Sequence, residues 1–349
     1  MLDINLIVRG VAYSGWTDVA ITRSMECLAP TFDVALADVW AQGNAALPIQ
    51  EGDICVLRVG TENIINGFVE EAEFSYDANG YKIGVKGGAR TVDLAECSAA
   101  VVGNEWHHQD LTAIATFLCQ PFGISVIPDT DVGGPFAKFA LLDHSETVFD
   151  ALDRACRMRG VLMMTDGNGN LLITRAGTIR TASTIRRGFN VVRGSRKGSW
   201  KDRFSAYTVK SQMSGDDTLM GPAASSVKAM SLDGNMSRYR PLVVVAETQE
   251  NAFELKKRAD WERNVRAGRS LSLTYVLEGW SNTEGVWEPN VLVRVVDDKF
   301  CVDAELIISE VKLSLSSDEG QMTEITVTDP DSFSVKPYKP KPPRGVPFM

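Results

Sequence analysis

The stretch from Asp53 to Val85, DICVLRVGTENIINGFVEEAEFSYDANGYKIGV, carries the pattern that decides the fold. A β-rich run, DICVLRV, precedes a long alternating run, INGFVEEAEFSY, and a shorter returning run, YKIGV. Alternation of apolar and polar residues with a period of two is typical of strands with one buried face. Asn79-Gly80, between the second and third runs, favours a tight hairpin. The stretch therefore predicts three successive antiparallel strands.

A second stretch, from Asn290 to Val327, repeats this order of a strand, a long alternating strand and a returning strand. Acidic residues lie early in both long strands, at Glu70 and Glu71 in the first and at Glu310 in the second. Sequence identity between the two stretches is low, so two unrelated meanders remain the alternative. Duplication predicts a mainly β chain with two similar antiparallel β-barrel domains.

Between the two β stretches the sequence becomes helical. In LTAIATFLCQPFG, the spacing of Leu111, Ile114 and Leu118 predicts one helix, with Asp110 as its N-cap. In ETVFDALDRACRMRG, a stripe containing Phe149 and Leu152 predicts a second helix, and we expect Ser145 to cap it and Gly160 to end it. These patterns indicate an α/β module inserted into the β protein.

The chain is long enough for at least two domains, because its 349 residues exceed the roughly 250–300 at which one core stops growing. We predict a first β-barrel over 1–98, an inserted helix–helix–hairpin module over 99–177, a return to the first β-barrel over 178–212, a loop over 213–234, a second β-barrel over 235–330 with a helix over 248–267, and an extended Pro/Lys tail over 331–349.

Composition and charge exclude several functional classes. The formal net charge is −9, which opposes binding to nucleic acid or to an anionic membrane, so we expect no nucleic-acid specificity. No run approaches the roughly 18 apolar residues of a membrane span, and the N-terminus lacks the pattern of a signal peptide, so we expect no membrane insertion. The 6 cysteines form no C-x-x-C pair, which favours a reducing cytosol.

The sequence shows no catalytic or metal-binding constellation. Its 3 histidines are His107, His108 and His144, and adjacent residues on a strand point to opposite faces. No G-x-S-x-G elbow accompanies them. We therefore expect no catalytic residue, no metal site, no cofactor and no enzymatic activity.

Three segments are candidate protein interfaces. Trp280 and Trp287 bracket the polar loop GWSNTEGVW, although both could instead fold back over the end of a barrel. Arg196 and Lys197 belong to a basic stretch that suits an acidic partner, with a solvated loop as the alternative.

The third candidate interface is the C-terminal tail, VKPYKPKPPRGVPFM. Its proline content favours polyproline II, and Tyr338 and Phe348 offer apolar anchors in a basic segment. A solvated terminus is the alternative.

Two stretches resemble a known family. VFDALDRACRMRGVLMMTDGNGNLLITRAG, from Val148 to Gly177, and KGGARTVDLAECSA, from Lys86 to Ala99, are similar to the tail proteins of Mu-like contractile phages. These are baseplate hub proteins related to the hub portion of type VI secretion spikes. The resemblance implies two similar β-barrel domains per chain and a homotrimer, in which three chains with two domains each form a ring of six.

The resemblance implies a structural function. We expect a baseplate hub with pseudo-six-fold symmetry that joins a three-fold central spike protein to the six-fold tail tube protein or a tube initiator, beside other baseplate proteins. Its expected location is the virion tail baseplate, and the host cytoplasm during assembly. A β-rich glycan-binding or glycan-cleaving tail component is the alternative.

Overall fold

The computed structural model describes residues 2–37, 49–77, 80–100, 104–143, 145–177, 179–211, 227–246 and 252–333. The first β region contains β1 (Ile4–Val8), β2 (Val11–Tyr13), β3 (Asp18–Ser24), β4 (Thr31–Ala37), β5 (Ile54–Val59), β6 (Glu62–Asp77), β7 (Gly80–Ala89) and α1 (Val92–Glu96). The module contains β8 (Glu105–Gln109), α2 (Leu111–Cys119), β9 (Val126–Pro128), β10 (Phe136–Ala140), α3 (Val148–Arg159), β11 (Leu162–Thr165) and β12 (Leu171–Thr174). The remainder contains β13 (Arg180–Arg186), β14 (Val191–Gly198), β15 (Ala206–Lys210), β16 (Lys228–Leu232), β17 (Pro241–Val245), α4 (Ala252–Arg269), β18 (Leu271–Glu278), β19 (Leu292–Asp297), β20 (Val302–Ser316) and β21 (Gly320–Thr328), with 3₁₀ turns at Gln120–Phe122 and Pro330–Phe333.

A single large sheet organises the chain. Its strand order is β14-β18-β21-β20-β3-β4-β7-β6-β5-β1-β2, and β19 pairs with β20 and with β13. All pairs except β13–β19 are antiparallel. The expected fold class, mainly β with an inserted α/β module, is confirmed.

The internal repeat is visible in the strand pairing. β5 and β7 flank β6 as β19 and β21 flank β20, always antiparallel. Both long strands carry an irregularity of one residue, between Val69 and Glu71 in β6 and between Ile308 and Glu310 in β20. Such a bulge bends a long strand, which lets each half pair with a different neighbour. The predicted order of three strands is thus confirmed in both stretches, while the tip of the first hairpin, 78–79, lies outside the described residues.

The backbone around the two bulges also matches. The Val69 N–H donates to the Asp53 carbonyl at 2.9 Å, and the Ile308 N–H donates to the Val291 carbonyl at 2.9 Å. The Val69 and Ile308 carbonyls each accept a backbone N–H at 2.8 Å, from Gly52 and Asn290 respectively. Val69 and Ile308 are therefore equivalent positions of the repeat.

The segment 178–212 does not return to the first β region, so this prediction was wrong. β13 pairs with β19 and β14 pairs with β18, which places both in the second β region. The last residue of the module, Gly177, already contacts the second β region: its N–H donates to Asn290 Oδ1 at 2.5 Å.

The module has its own apolar core. Leu111, Ile114, Leu118 and Leu152 are at most 1% exposed, while Phe149 is half-buried. Asp110 caps α2 as expected, accepting the Ala113 N–H at 2.7 Å.

The caps of the second module helix were only partly predicted. Thr147 caps α3 in place of Ser145: its Oγ1 accepts the Asp150 N–H at 3.0 Å, whereas Ser145 bonds to Asp143. Gly160 ends α3 in the left-handed conformation, as predicted.

A small sheet and α4 lie where a loop and a helix were expected. β15 pairs with β16 and β17, so residues 228–232 of the predicted 213–234 loop form a strand, and 212–226 lie outside the described residues. α4 is described over Ala252–Arg269, and the expected start at 248 lies outside the described residues. α4 continues one residue past the predicted stop, Gly268. The missing side chain of Gly268 leaves room for Ser332, whose side chain would clash with a Cβ there.

Candidate protein interface

Trp280 and Trp287 are core residues, so their assignment as interface residues was wrong. They are 1% and 3% exposed and belong to the core of the large sheet. The Trp280 indole N–H donates to the Ser314 carbonyl at 2.9 Å and to the Met322 carbonyl at 3.1 Å. The loop folds back over the sheet, as the alternative held, because two large rings gain more by burial than by exposure.

Arg196 and Lys197 lie on β14, an exposed strand at the end of the large sheet. The basic stretch is thus a strand edge and not a solvated loop at these positions. Its neighbour Arg193 is paired with Glu319 at 2.6 Å, and this hydrogen bond lowers the pKa of the Glu319 carboxyl. β14 therefore presents positive charge together with a row of backbone groups.

An acidic strand segment lies elsewhere on the same sheet. The second half of β6 carries Glu70, Glu71, Glu73 and Asp77. Partial burial and the neighbouring carboxylates of Glu96, Asp93 and Glu71 raise the pKa of Glu70. Nearby Tyr76 is 80% exposed, which is unusual for a large aromatic side chain.

The small sheet has one covered face and one open face. α4 packs on the first, where Val209, Ala246, Leu255 and Ala259 form a buried cluster. Four apolar side chains of the edge strands β16 and β17 are at least half exposed: Met230, Leu232, Val243 and Val245. An open face of this kind often contacts another protein.

Several charged side chains of α4 are buried, and hydrogen bonds connect them to each other and to β16. The Arg258 guanidinium donates to Glu262 at 2.8 Å. The Ser231 hydroxyl donates to Asp260 at 2.7 Å and accepts from Arg263 at 3.0 Å, which ties α4 to β16. These side chains are paired within the helix or with the adjacent strand, as buried charges need to be.

The histidines that the structure describes lie on the surface. His107 Nε2 is 3.3 Å from a Glu105 carboxylate oxygen, and the exposed His108 has a φ of 51°. His144 and the tail residues Tyr338 and Phe348 lie outside the described residues. Within the described ranges, no group of three or more His, Cys, Asp or Glu side chains could hold a metal ion, and no helix is long and apolar enough to cross a membrane.

Sequence reasoning missed the acidic half of β6 and the open face of the small sheet. Acidic pairs are common in an acidic chain, so Glu70 and Glu71 carried no signal by themselves. Their position on the half of β6 that β5 does not cover becomes visible only through strand pairing. The exposed Met230 and Leu232 fell in a stretch that composition made look like a loop.

Comparisons with known proteins cover nearly the whole chain. Residues 3–89 match the model of the N-terminal domain of Mu phage baseplate assembly protein GpP-like proteins, 91–175 that of the second domain of baseplate hub protein gp44-like proteins, and 251–336 that of the fourth domain of Mu phage baseplate assembly protein GpP. The baseplate hub protein gp44 of Escherichia phage Mu is 32% identical over 342 residues, 95% of this chain and 89% of that protein.

Solved structures agree with these matches. The 43 kDa tail protein of prophage MuSo2 from Shewanella oneidensis is 36% identical, with a TM-score of 0.84 over 95% of this chain and 100% of that one. A type VI secretion system component of E. coli, described as structurally similar to T4 bacteriophage tail proteins gp27 and gp5, shares the fold at 10% identity, with a TM-score of 0.56 over 96% of this chain and 79% of that one. The chain belongs to the baseplate hub protein family of Mu-like phages.

Proposed function

We propose that three copies of this hub protein form a ring with pseudo-six-fold symmetry, which joins a three-fold central spike to the six-fold tail tube of a contractile phage. The observation that carries the proposal is the repeat of β5–β6–β7 as β19–β20–β21 within one chain. Three chains with two equivalent units each supply six similar surfaces toward the tube and three identical chains toward the spike.

The arrangement of the two units supports a ring. They lie side by side in one sheet, because β3 of the first β region pairs with β20 of the second. Neighbouring units of a closed ring need this type of lateral contact. A ring of six units has six such contacts, and three of them, one inside each chain, would be made by the pairing of β3 with β20.

The proposal includes the partners and location that follow from it. The ring would contact the spike protein, the tail tube protein or a tube initiator, and other baseplate proteins, and it would assemble in the host cytoplasm. Tyr338 and Phe348 would anchor the tail, 335–349, as a partner-binding or inter-subunit arm. We also propose that the chain is divided into a first β-barrel over 1–98, an inserted module over 99–177, a second β-barrel over 235–330 and a tail over 331–349, and that β13 and β14 belong to the second β-barrel.

The proposal assigns the chain a structural role without catalysis. The alternative, a glycan-binding or glycan-cleaving tail component, gains no support from Trp280 and Trp287, because both are buried and cannot stack on a sugar. Light scattering tests the choice. We expect a particle of three times the 38.1 kDa chain mass. A stable monomer that binds or cleaves glycan would favour the alternative.

A further inference from the structure

Among the residues that the structure describes, β14 and residues 71–77 of β6 each have one edge without a partner strand. β14 pairs with β18 on one side, and no strand of the described ranges pairs with its other side. Residues 71–77 of β6 pair with β7 on one side, and β5 pairs only with the earlier part of β6, up to Phe68. Open edges present unpaired N–H and C=O groups that attract another strand.

The chain already contains the contact that these two edges lack. In the second β region, the segment of β20 that corresponds to residues 71–77 is covered by β3, with Glu310–Leu315 antiparallel to Ser24–Val19. The strand that covers β20 therefore comes from the other unit of the same chain.

The repeat makes β14 the counterpart of β3. Ile21 pairs with Phe32, which pairs with Gly87, which pairs with Val69 before the first bulge. In the second β region, the corresponding ladder has four members: Arg196, Leu273, Val327 and Ile308, the last before the second bulge. Arg196 thus occupies the position of Ile21.

We propose that β14 of one copy pairs antiparallel with β6 of a neighbouring copy, as β3 pairs with β20 inside the chain. Since Ile21 pairs with Leu313, Arg196 lies opposite Phe74 of the neighbour. The same register sets Ser195 opposite Ser75 and Lys197 opposite Glu73. The inference rests on the proposed ring and names the strands that close it.

Backbone direction agrees with this pairing. The Ser199 N–H donates to the Ser270 carbonyl at 2.8 Å, on the side of β18. Because N–H groups alternate along a strand, those of Gly194, Arg196 and Gly198 point toward the open edge. The Met25 N–H, at the end of β3, donates to the Ser309 carbonyl of β20 at 2.8 Å, and the equivalent donor in the second β region is that of Trp200.

Charge and exposed aromatic side chains favour the same contact. β14 carries basic residues and no acidic one, whereas β6 from Glu70 to Asp77 carries acidic residues and no basic one. Tyr76 is 80% exposed, and its opposite residue would be Gly194. Trp200 is 48% exposed, although its counterpart Met25 is buried. Aromatic residues that flank a strand pair are typical interface anchors.

Disulfide crosslinking tests the register. Ser75 and Ser195 are both exposed and would form a pair without mutual hydrogen bonds, in which side chains approach closely enough for a disulfide. The variant S75C/S195C is made in full-length protein whose exposed Cys27, Cys97 and Cys301 are replaced by serine. We expect mild oxidation to convert it mainly into a covalent trimer on nonreducing gels. Each single variant should stay uncrosslinked, as should S75C/S199C, whose second cysteine is displaced by four residues, about 13 Å.

A charge exchange provides an independent measurement. K197E would set Glu opposite Glu73 and should raise the protein concentration needed for half-maximal trimer formation by about tenfold or more, since like charges across an interface are costly. The double variant E73K/K197E should restore association.

The outcomes separate this inference from the proposed function. A trimeric parent whose S75C/S195C variant gives no covalent trimer, and whose K197E variant associates normally, overturns the strand pairing and leaves the ring intact. A covalent ladder beyond three chains supports the pairing and overturns closure at three. A parent that is monomeric at every concentration, with no crosslink, overturns both.

Discussion

Substitution of Trp280 tests most directly whether this side chain stabilises the core of the large sheet. Its indole N–H reaches the Ser314 and Met322 carbonyls, which belong to directly paired residues of β20 and β21. The variant W280F keeps most of the ring but removes this donor, so the Ser314 and Met322 carbonyls each lose one hydrogen bond. A hydrogen bond contributes about 0.5–1.5 kcal/mol net to stability, and we expect the free energy of unfolding to fall by that amount. W280A should lose about 3–5 kcal/mol.

The matched control is W287F. Trp287 is 3% exposed, yet its indole nitrogen makes no hydrogen bond to any residue in the described ranges, so this variant changes ring size without removing a bond. Urea unfolding at one fixed protein concentration measures both variants, because association would add to apparent stability. W280F should be the less stable of the two. If W280F unfolds within ~0.5 kcal/mol of the parent, or no earlier than W287F, the buried hydrogen bond does not stabilise the sheet and our reasoning is wrong.

Three further predictions concern the module, the cysteines and the tail. L152A should lower the free energy of unfolding by about 2–5 kcal/mol in the same assay, since Leu152 is 1% exposed, and a change below ~0.5 kcal/mol would mean that the helix face is open. Burial raises the pKa of the Cys55 and Cys119 thiols to about 12, so these thiols stay protonated at pH 8. An aromatic disulfide reagent should therefore modify only the exposed cysteines, Cys27, Cys97 and Cys301, until denaturant is added. Rapid modification of all 6 cysteines in the native protein would contradict this. Deletion of 335–349 should leave the melting temperature of the folded core nearly unchanged but weaken trimerisation or attachment of spike or tube, and a truncated chain that assembles normally would exclude a role for the arm.

The sequence predicted the elements whose pattern is local. Alternation over Asp53–Val85 and over Asn290–Val327 fixes which side chains face the core, and both strand triplets are present in the predicted order. The caps of α2 and the end of α3 depend on one side chain or one glycine, and Asp110 and Gly160 could be identified for that reason.

Elements that depend on distant partners could not be predicted. Nothing in β13 or β14 indicates whether they pair with the first or the second β region, because strand alternation is the same in both. Gly268 has the signature of a helix end, yet it serves the close approach of Ser332, 64 positions later in the chain. The interface assignment of Trp280 was wrong for a related reason: its carbonyl partners come from two strands that only the folded sheet brings to the loop.

β3 and β14 are equivalent strands of the repeat, and there is a physical reason why β3 carries an apolar residue where β14 carries a basic one. Ile21 and its partner Leu313 are each 1% exposed, because β3 and β20 belong to one chain and are covered as soon as it folds. At the equivalent positions of the proposed contact between copies, Arg196 and Phe74 replace this apolar pair. The open edge of β14 is exposed to solvent until a second copy binds, and an apolar edge strand would pair with any exposed strand. Basic residues on β14 and acidic residues on β6 prevent each edge from pairing with its own kind, and they favour the head-to-tail contact that a closed ring requires.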